Sequence, residues 1–276
     1  MTSTAQQDAS PASPVVLLEK HADDRIWVVT LNRPERMNTI GDGMMERLVE
    51  IFLDYRDDPG ARVAILTAAG DRAFCAGFDL NDVARRRADG GATRPTPPRG
   101  PTTIVPLAEG LDVWKPVICA INGYAIAGGF MLAMQCDIRI MAEHARAGVS
   151  EVRWNLGSAW MMPITRQIGL GNALELCLWG DTQITAQRAY EIGWAQRVVP
   201  KEDLMTVAMQ YANRMLDMAP RAVRNVKQML YRGAYMDPLE GQRFGSALIQ
   251  NLAGMQDSIE GPQAFLEKRR PNYIDG

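Results

Sequence analysis

The chain has 276 residues, 47% hydrophobic and 22% charged, with 30 Lys and Arg against 32 Asp and Glu for a net charge of −2. That composition fits a globular chain long enough for a large core, and the near-neutral balance argues against a general nucleic-acid binder, which carries a basic excess. No run of 18 apolar residues occurs, so a transmembrane helix is excluded, and the four cysteines (Cys75, Cys119, Cys136, Cys177) are too scattered for a disulfide framework or a CxxC zinc site.

Residues 1–14 are polar and rich in Ser, Ala, Pro and Gln. They have neither the basic start nor the apolar stretch of a secretory signal, and they read as a disordered leader. With cysteines expected as reduced, buried thiols, the protein is expected to be cytoplasmic. Two apolar runs, Val15 to Leu18 and Ile26 to Leu31, flank a polar stretch as in a hairpin. From Asp42 to Tyr55 the apolar residues Met44, Met45, Leu48, Val49, Phe52 and Tyr55 recur at steps of three and four, predicting an amphipathic helix. Val63 to Thr67, Pro116 to Ile121 and Cys136 to Met141 read as buried strands, the last preceded by a helical run from Phe130 to Gln135.

Strands alternating with helices imply βαβ units and a mostly parallel sheet, hence the α/β class. After Pro163 helix follows helix: Ile164 to Trp179, Ala186 to Ile192, Leu204 to Met218, Arg221 to Tyr231 and Leu239 to Met255. The expected organisation is therefore an α/β core over residues 15–200 and a helical region over 201–276. Arg85 to Pro101 has no period and reads as a surface loop, and its Arg85-Arg86-Arg87 run reads as solvated rather than as an RNA site.

Only two histidines exist, His21 and His144, both in polar surroundings, and no GxSxG elbow, HExxH helix or Walker A loop occurs. Gly169-Leu170-Gly171 lacks the third glycine and the preceding strand of a dinucleotide fingerprint, and reads as a glycine pair in or beside a helix. Triad, metal and nicotinamide chemistry are thus poorly supported. Two glycine-rich turns carry more. Ala73 to Leu80 follows the strand around Ile65, and Asn122 to Phe130 follows the strand around Ile118. Such turns bring backbone N–H groups close to a ligand, and two donors meeting at one point make an oxyanion hole. A third segment, Gly148 to Gly157, holds one carboxylate, Glu151, among apolar neighbours. Buried, it would have a raised pKa and serve as a general base, although a surface pair with Arg153 fits the local sequence better.

In order and spacing, Leu31-Asn32-Arg33-Pro34, Phe74 to Leu80, Lys115 to Tyr124, Ala127 to Phe130, Cys136-Asp137 and Glu260 to Arg269 resemble the crotonase (enoyl-CoA hydratase/isomerase) superfamily, over about Val15 to Tyr273. The resemblance implies a crotonase-like ββα spiral core, a helical C-terminal trimerisation region, and homotrimers or dimers of trimers. It implies an acyl-CoA thioester substrate, with no separate cofactor or metal and no nucleic-acid or membrane partner. The matching positions make Phe78 and Gly128 the two oxyanion donors and Glu151 the catalytic base. Ala76, Gly77, Asp79, Gly129, Met131, Trp154, Trp160 and Lys268 are the implied substrate-binding residues, with Lys268 reaching for the CoA phosphates.

The sequence departs from ordinary hydratases of that family, which carry two glutamates. Met131 stands at the first position and Glu151 at the second. A thioether neither accepts nor donates a useful proton, and losing one general acid/base typically costs about 10²–10⁴-fold. One glutamate still suffices for enolate chemistry, either hydration and dehydration or movement of a double bond. The segment around Glu151 is also similar to that of hydroxycinnamoyl-CoA hydratase-lyases, but Phe244 stands where those enzymes recruit a tyrosine. A non-catalytic acyl-CoA binder is the remaining alternative.

Overall fold

The computed structural model describes residues 14–41, 43–79 and 106–276. The expected leader and arginine-rich loop lie outside the described residues, apart from Pro14. The main sheet has six strands in the order β1 (Val16–His21), β2 (Ile26–Leu31), β3 (Val63–Ala68), β5 (Val117–Ile121), β7 (Ile138–Ala142) and β10 (Arg197–Val199). Strands β1 and β2 form the expected antiparallel hairpin, and every other pairing in this sheet is parallel. All residues of β3 and β5 are buried, as a parallel sheet covered on both faces requires.

A second sheet orders β4 (Ala73–Cys75), β6 (Tyr124–Ile126), β8 (Arg146–Gly148) and β9 (Ile184–Thr185). Within a few residues, β3 leads into β4, β5 into β6 and β7 into β8, so the chain repeatedly runs from a long strand in one sheet to a short strand in the other. Helix α3 (Gly128–Met134) follows β6, and α4 (Ile164–Trp179) comes after β8 and two short 3-10 turns. This is the ββα spiral. The second sheet escapes the sequence reading because its strands are two or three residues long, too short to show alternation.

Helix α1 (Met44–Asp57) buries Met44, Leu48, Ile51, Phe52 and Tyr55 along one stripe. Between the sheets and the C-terminal helices lie α2 (Leu107–Leu111) and α5 (Ala186–Glu191), followed by α6 (Leu204–Leu216), whose Leu204, Ala208 and Ala212 enter the main core. Helix α6 thus packs with the sheet, although it lies beyond residue 200. Helices α7 (Pro220–Gly233) and α8 (Pro238–Gln250) pack on each other, and α9 (Gln256–Leu266) follows. The single helix expected from Leu239 to Met255 stops at Gln250, and Gly254, at φ +86°, sits in the break before α9. The glycine pair in α4 is helix-internal as expected, with Gly169 at φ 75° marking a kink.

A buried polar clamp fastens α7 to the sheet. The Asp137 carboxylate accepts from Lys227 Nζ at 2.8 Å, Tyr231 Oη at 2.9 Å and Val117 N at 2.7 Å. Lys227 also donates to the Lys115 carbonyl. All four cysteines are free thiols, three of them buried.

Candidate active site

The two glycine-rich turns meet at the second sheet, because β4 and β6 pair in parallel. On the first turn, Ile40 donates its N–H to Gly77 O and accepts from Asp79 N, at 2.8 and 3.1 Å. In this parallel bridge between Ile40 and Phe78, Ile40 uses the groups on either side of Phe78, so the Phe78 N–H faces the other way. No described residue accepts from it. A loop pinned by Asn38 holds Ile40 in place: its amide bonds to Ala69 O and Ala73 O, and its carbonyl oxygen accepts from Arg33 N.

The second turn abuts the first. Gly77 adopts φ +98°, and a Cβ there would lie 3.1 Å from Ala127 Cβ and 3.5 Å from Gly128 N. A Cβ on Gly128 would meet Phe78 ring carbons at 3.3 Å. Gly128 opens α3, so its N–H lacks a carbonyl four residues earlier within the helix, and no described residue accepts from it. Ala127 aims this N–H from φ 54°, ψ −117°, a conformation alanine rarely adopts and one typical of strained functional turns. Its own N–H is tied to Gly148 O at 2.9 Å. Ala127 and Ile40 are site residues the sequence reading passes over. A conformation imposed by surrounding contacts leaves no mark on an alanine.

Gly148 ends β8, which pairs with β6, and Glu151 follows three positions later at the start of a 3-10 turn. The strand that carries Glu151 is therefore bonded to the residue that aims the Gly128 N–H. Glu151 is half-buried under α4, and its Oε2 is buried with no hydrogen-bond partner among the described residues. Burial pushes its carboxyl up from the ordinary value, opposed by the backbone N–H groups of Glu151 and Ser150. The surface pair with Arg153 does not form; that guanidinium lies 5.9 Å from the Trp154 ring instead.

The other expected residues divide. Ala76, Gly77 and Gly129 belong to the meeting point of the turns: Ala76 N donates to Met37 O, and Gly129 is packed onto the Cys75 carbonyl. Asp79 is buried and faces Arg33 and Arg36 at 3.7 and 3.8 Å, which ties the Asn32-Arg33-Pro34 segment to the first turn. Met131 is fully buried in the core cluster. Trp160 is partly buried, tilted against Phe130 at 6.2 Å between ring centroids, whereas Trp154 is exposed. Lys268 follows α9 and is exposed; no described contact brings it to the turns.

The chain that carries this site has relatives. A sequence model described as enoyl-CoA hydratase/isomerase matches residues 21–276. The chain belongs to the enoyl-CoA hydratase/isomerase family. Among curated relatives, (E)-benzylidenesuccinyl-CoA hydratase of Thauera aromatica is 33% identical, over 94% of this chain and 98% of its own. Carnitinyl-CoA dehydratase of Salmonella typhi is 34% identical, over 89% and 94%. Among solved structures, enoyl-CoA hydratase from Bacillus anthracis superposes with a TM-score of 0.83 at 30% identity, covering 95% of this chain and all of that one. A probable enoyl-CoA hydratase/isomerase from Mycobacterium abscessus gives a TM-score of 0.82 at 31% identity, over 94% and 99%. Membership in the family makes this chain a crotonase-fold enzyme, and CoA thioesters are the substrate type consistent with it.

Proposed function

We propose that the protein hydrates or dehydrates a CoA thioester with Glu151 as its only carboxylate base. The thioester oxygen accepts from the N–H groups of Phe78 and Gly128. In the hydration direction, Glu151 takes a proton from water as the water oxygen bonds to C3. The C2=C3 electron pair moves into the carbonyl, and the resulting enolate oxygen is held by the two donors. Glu151 then returns its proton to C2, so that the net change is addition of one water.

The observation that carries this reading is Glu151 Oε2, buried and unpaired beside a strand that fixes the Gly128 turn. A buried acceptor without a partner is costly in a resting protein and useful when a proton must be taken. Two of the relatives, a hydratase and a dehydratase, support water chemistry. The same base moving a proton from C2 to C4 of a 3-enoyl thioester would make the protein an isomerase.

The ring of Trp160 beside Phe130 supports a bulky or aromatic acyl group. Leu230, Ile259, Phe265 and Leu266 are each at least 66% exposed on α7 and α9, which supports assembly of copies through these helices into a trimer or a dimer of trimers.

Mass spectrometry in deuterated buffer with 2-enoyl-, 3-enoyl- and aryl-propenoyl-CoA tests the reaction. Gain of water supports hydration, and deuterium uptake without water gain replaces it by isomerisation. Binding without any change, equal in Glu151→Gln, would leave an acyl-CoA-binding protein.

A further inference from the structure

A second charged crevice lies at the opposite end of the same strands. Residues Arg62 and Lys115 stand just before β3 and β5, whereas the turns of the active site follow the far ends of those strands. Here a cleft of about 480 Å³ is lined by Arg56, Trp114, Lys115, Arg221, Arg224 and Asp275, among others.

Three guanidinium groups converge on one carboxylate. Arg224 Nη2 donates to both oxygens of Asp275, at 2.8 and 2.7 Å, while Arg221 Nε is 3.5 Å away and Arg62 Nη1 3.6 Å away. Those last two distances are too long for good hydrogen bonds, and Arg62 Nη1 is buried with no hydrogen-bond partner among the described residues. Lys115 adds a fourth cation beneath them, donating to Tyr55 O and Asp58 O. Burial, then the charge of Arg224, brings its ammonium down to about 8.

The other acids of the cleft are engaged elsewhere. Asp57 is bidentate with Arg56, Asp58 accepts from Gly60 N and Ala61 N, and Asp112 pairs with Trp114 and Arg232. A single carboxylate thus serves three arginines and leaves donors over. The backbone of that segment is fastened to the buried Asp257, which accepts from Ile274 N and Asp275 N and donates its N–H to Gly276 O, while the Asp275 side chain itself is 21% exposed to the cleft.

We propose that the cleft is an anion site of the phosphate class, with Arg221 and Arg224 as its ligands, Arg62 as a third cation on Asp275, and the Asp275 side chain as a tethered occupant that an incoming phosphate displaces. A phosphate group offers more acceptor oxygens and more charge than a carboxylate, and planar guanidinium forks match it in bidentate fashion. The site is separate from the thioester chemistry at the far ends of the strands.

Titration calorimetry of the full chain with inorganic diphosphate, and separately with adenosine diphosphate, tests this. Asp275→Asn is expected to bind diphosphate at least tenfold more tightly than the wild type, because the internal competitor is neutralised. Arg224→Gln is expected to bind at least tenfold more weakly; should it fail to fold, Arg221→Gln, at an exposed position, replaces it. Thermal unfolding of each variant without ligand confirms that the fold is retained. Equal affinities for the two ligands assign the site to free phosphate, and tighter adenosine diphosphate binding assigns it to a nucleotide. Unchanged diphosphate affinity in Asp275→Asn, or no binding by it, overturns the proposal.

Discussion

A Cβ placed on Gly129 would lie 1.9 Å from the carbonyl oxygen of Cys75. The start of α3 and the end of β4 therefore approach backbone to backbone, and that approach brings the turn of Phe78 against the turn of Gly128. Any side chain at position 129 forces the two turns apart. Gly129→Ala is expected to lose the folded state or all turnover, read by thermal unfolding and kcat. At Gly128 the added carbon meets only the end of Ile40 at 2.9 Å and the edge of Phe78. Gly128→Ala is expected to stay folded while its displaced Phe78 turn lowers kcat by about 10²-fold, as a small misplacement of catalytic groups does.

Glu151→Gln is expected to reduce kcat by about 10²–10⁴-fold while acyl-CoA binding is retained. In the wild type, kcat/KM rises with pH through an apparent pKa above the ordinary glutamate value of 4.5, since burial raises the carboxyl and only the ionised form is a base. The stability effect has the opposite sign. A carboxyl raised in the folded state binds its proton more tightly there than in the unfolded chain. Its contribution is present below the unfolded pKa and is lost as pH rises through the folded one. At neutral pH Glu151→Gln is therefore expected to melt at a higher temperature than the wild type, with a gap that closes on acidification.

The clamp between α7 and the sheet is expected to dominate the stability of the C-terminal helices. Lys227→Met leaves Asp137 without its cation in a nearly closed site and is expected to cost about 3–5 kcal/mol in denaturant unfolding. Tyr231→Phe removes one donor to a charged acceptor and is expected to cost about 1.5–3 kcal/mol. Lys227→Met combined with Asp137→Asn should cost less than the sum of the two single changes, because the second substitution removes the stranded charge.

Trp160→Ala is expected to lower kcat/KM for an aryl-propenoyl-CoA about two- to tenfold more than for a short alkyl enoyl-CoA. That range corresponds to an aromatic contact of about 0.5–1.5 kcal/mol. Equal losses on both substrates would reduce Trp160 to core packing against Phe130.

Much of the main sheet was legible in the sequence. Val63 to Ala68 and Val117 to Ile121 are apolar runs of strand length, and burial on both faces is what such runs need. The long helices were legible through their periodicity, as in the stripe of α1. The second sheet was not, because Ala73–Cys75 or Arg146–Gly148 carries too few residues for a pattern. The Asp79–Arg33 ion pair was not legible either: its partners stand 46 positions apart in the chain, and only the fold brings them together.

By itself the sequence determined the α/β class, the order of the long strands and helices, the two glycine turns and the carboxylate at position 151, because periodicity, small residues and residue chemistry are local properties. Only the tertiary structure decided that Ile40 turns the Phe78 N–H outward, that Ala127 aims the Gly128 N–H, and that Glu151 keeps a buried oxygen unpaired instead of meeting Arg153. Each of those depends on hydrogen bonds and burial between segments distant in the chain, which no local pattern encodes.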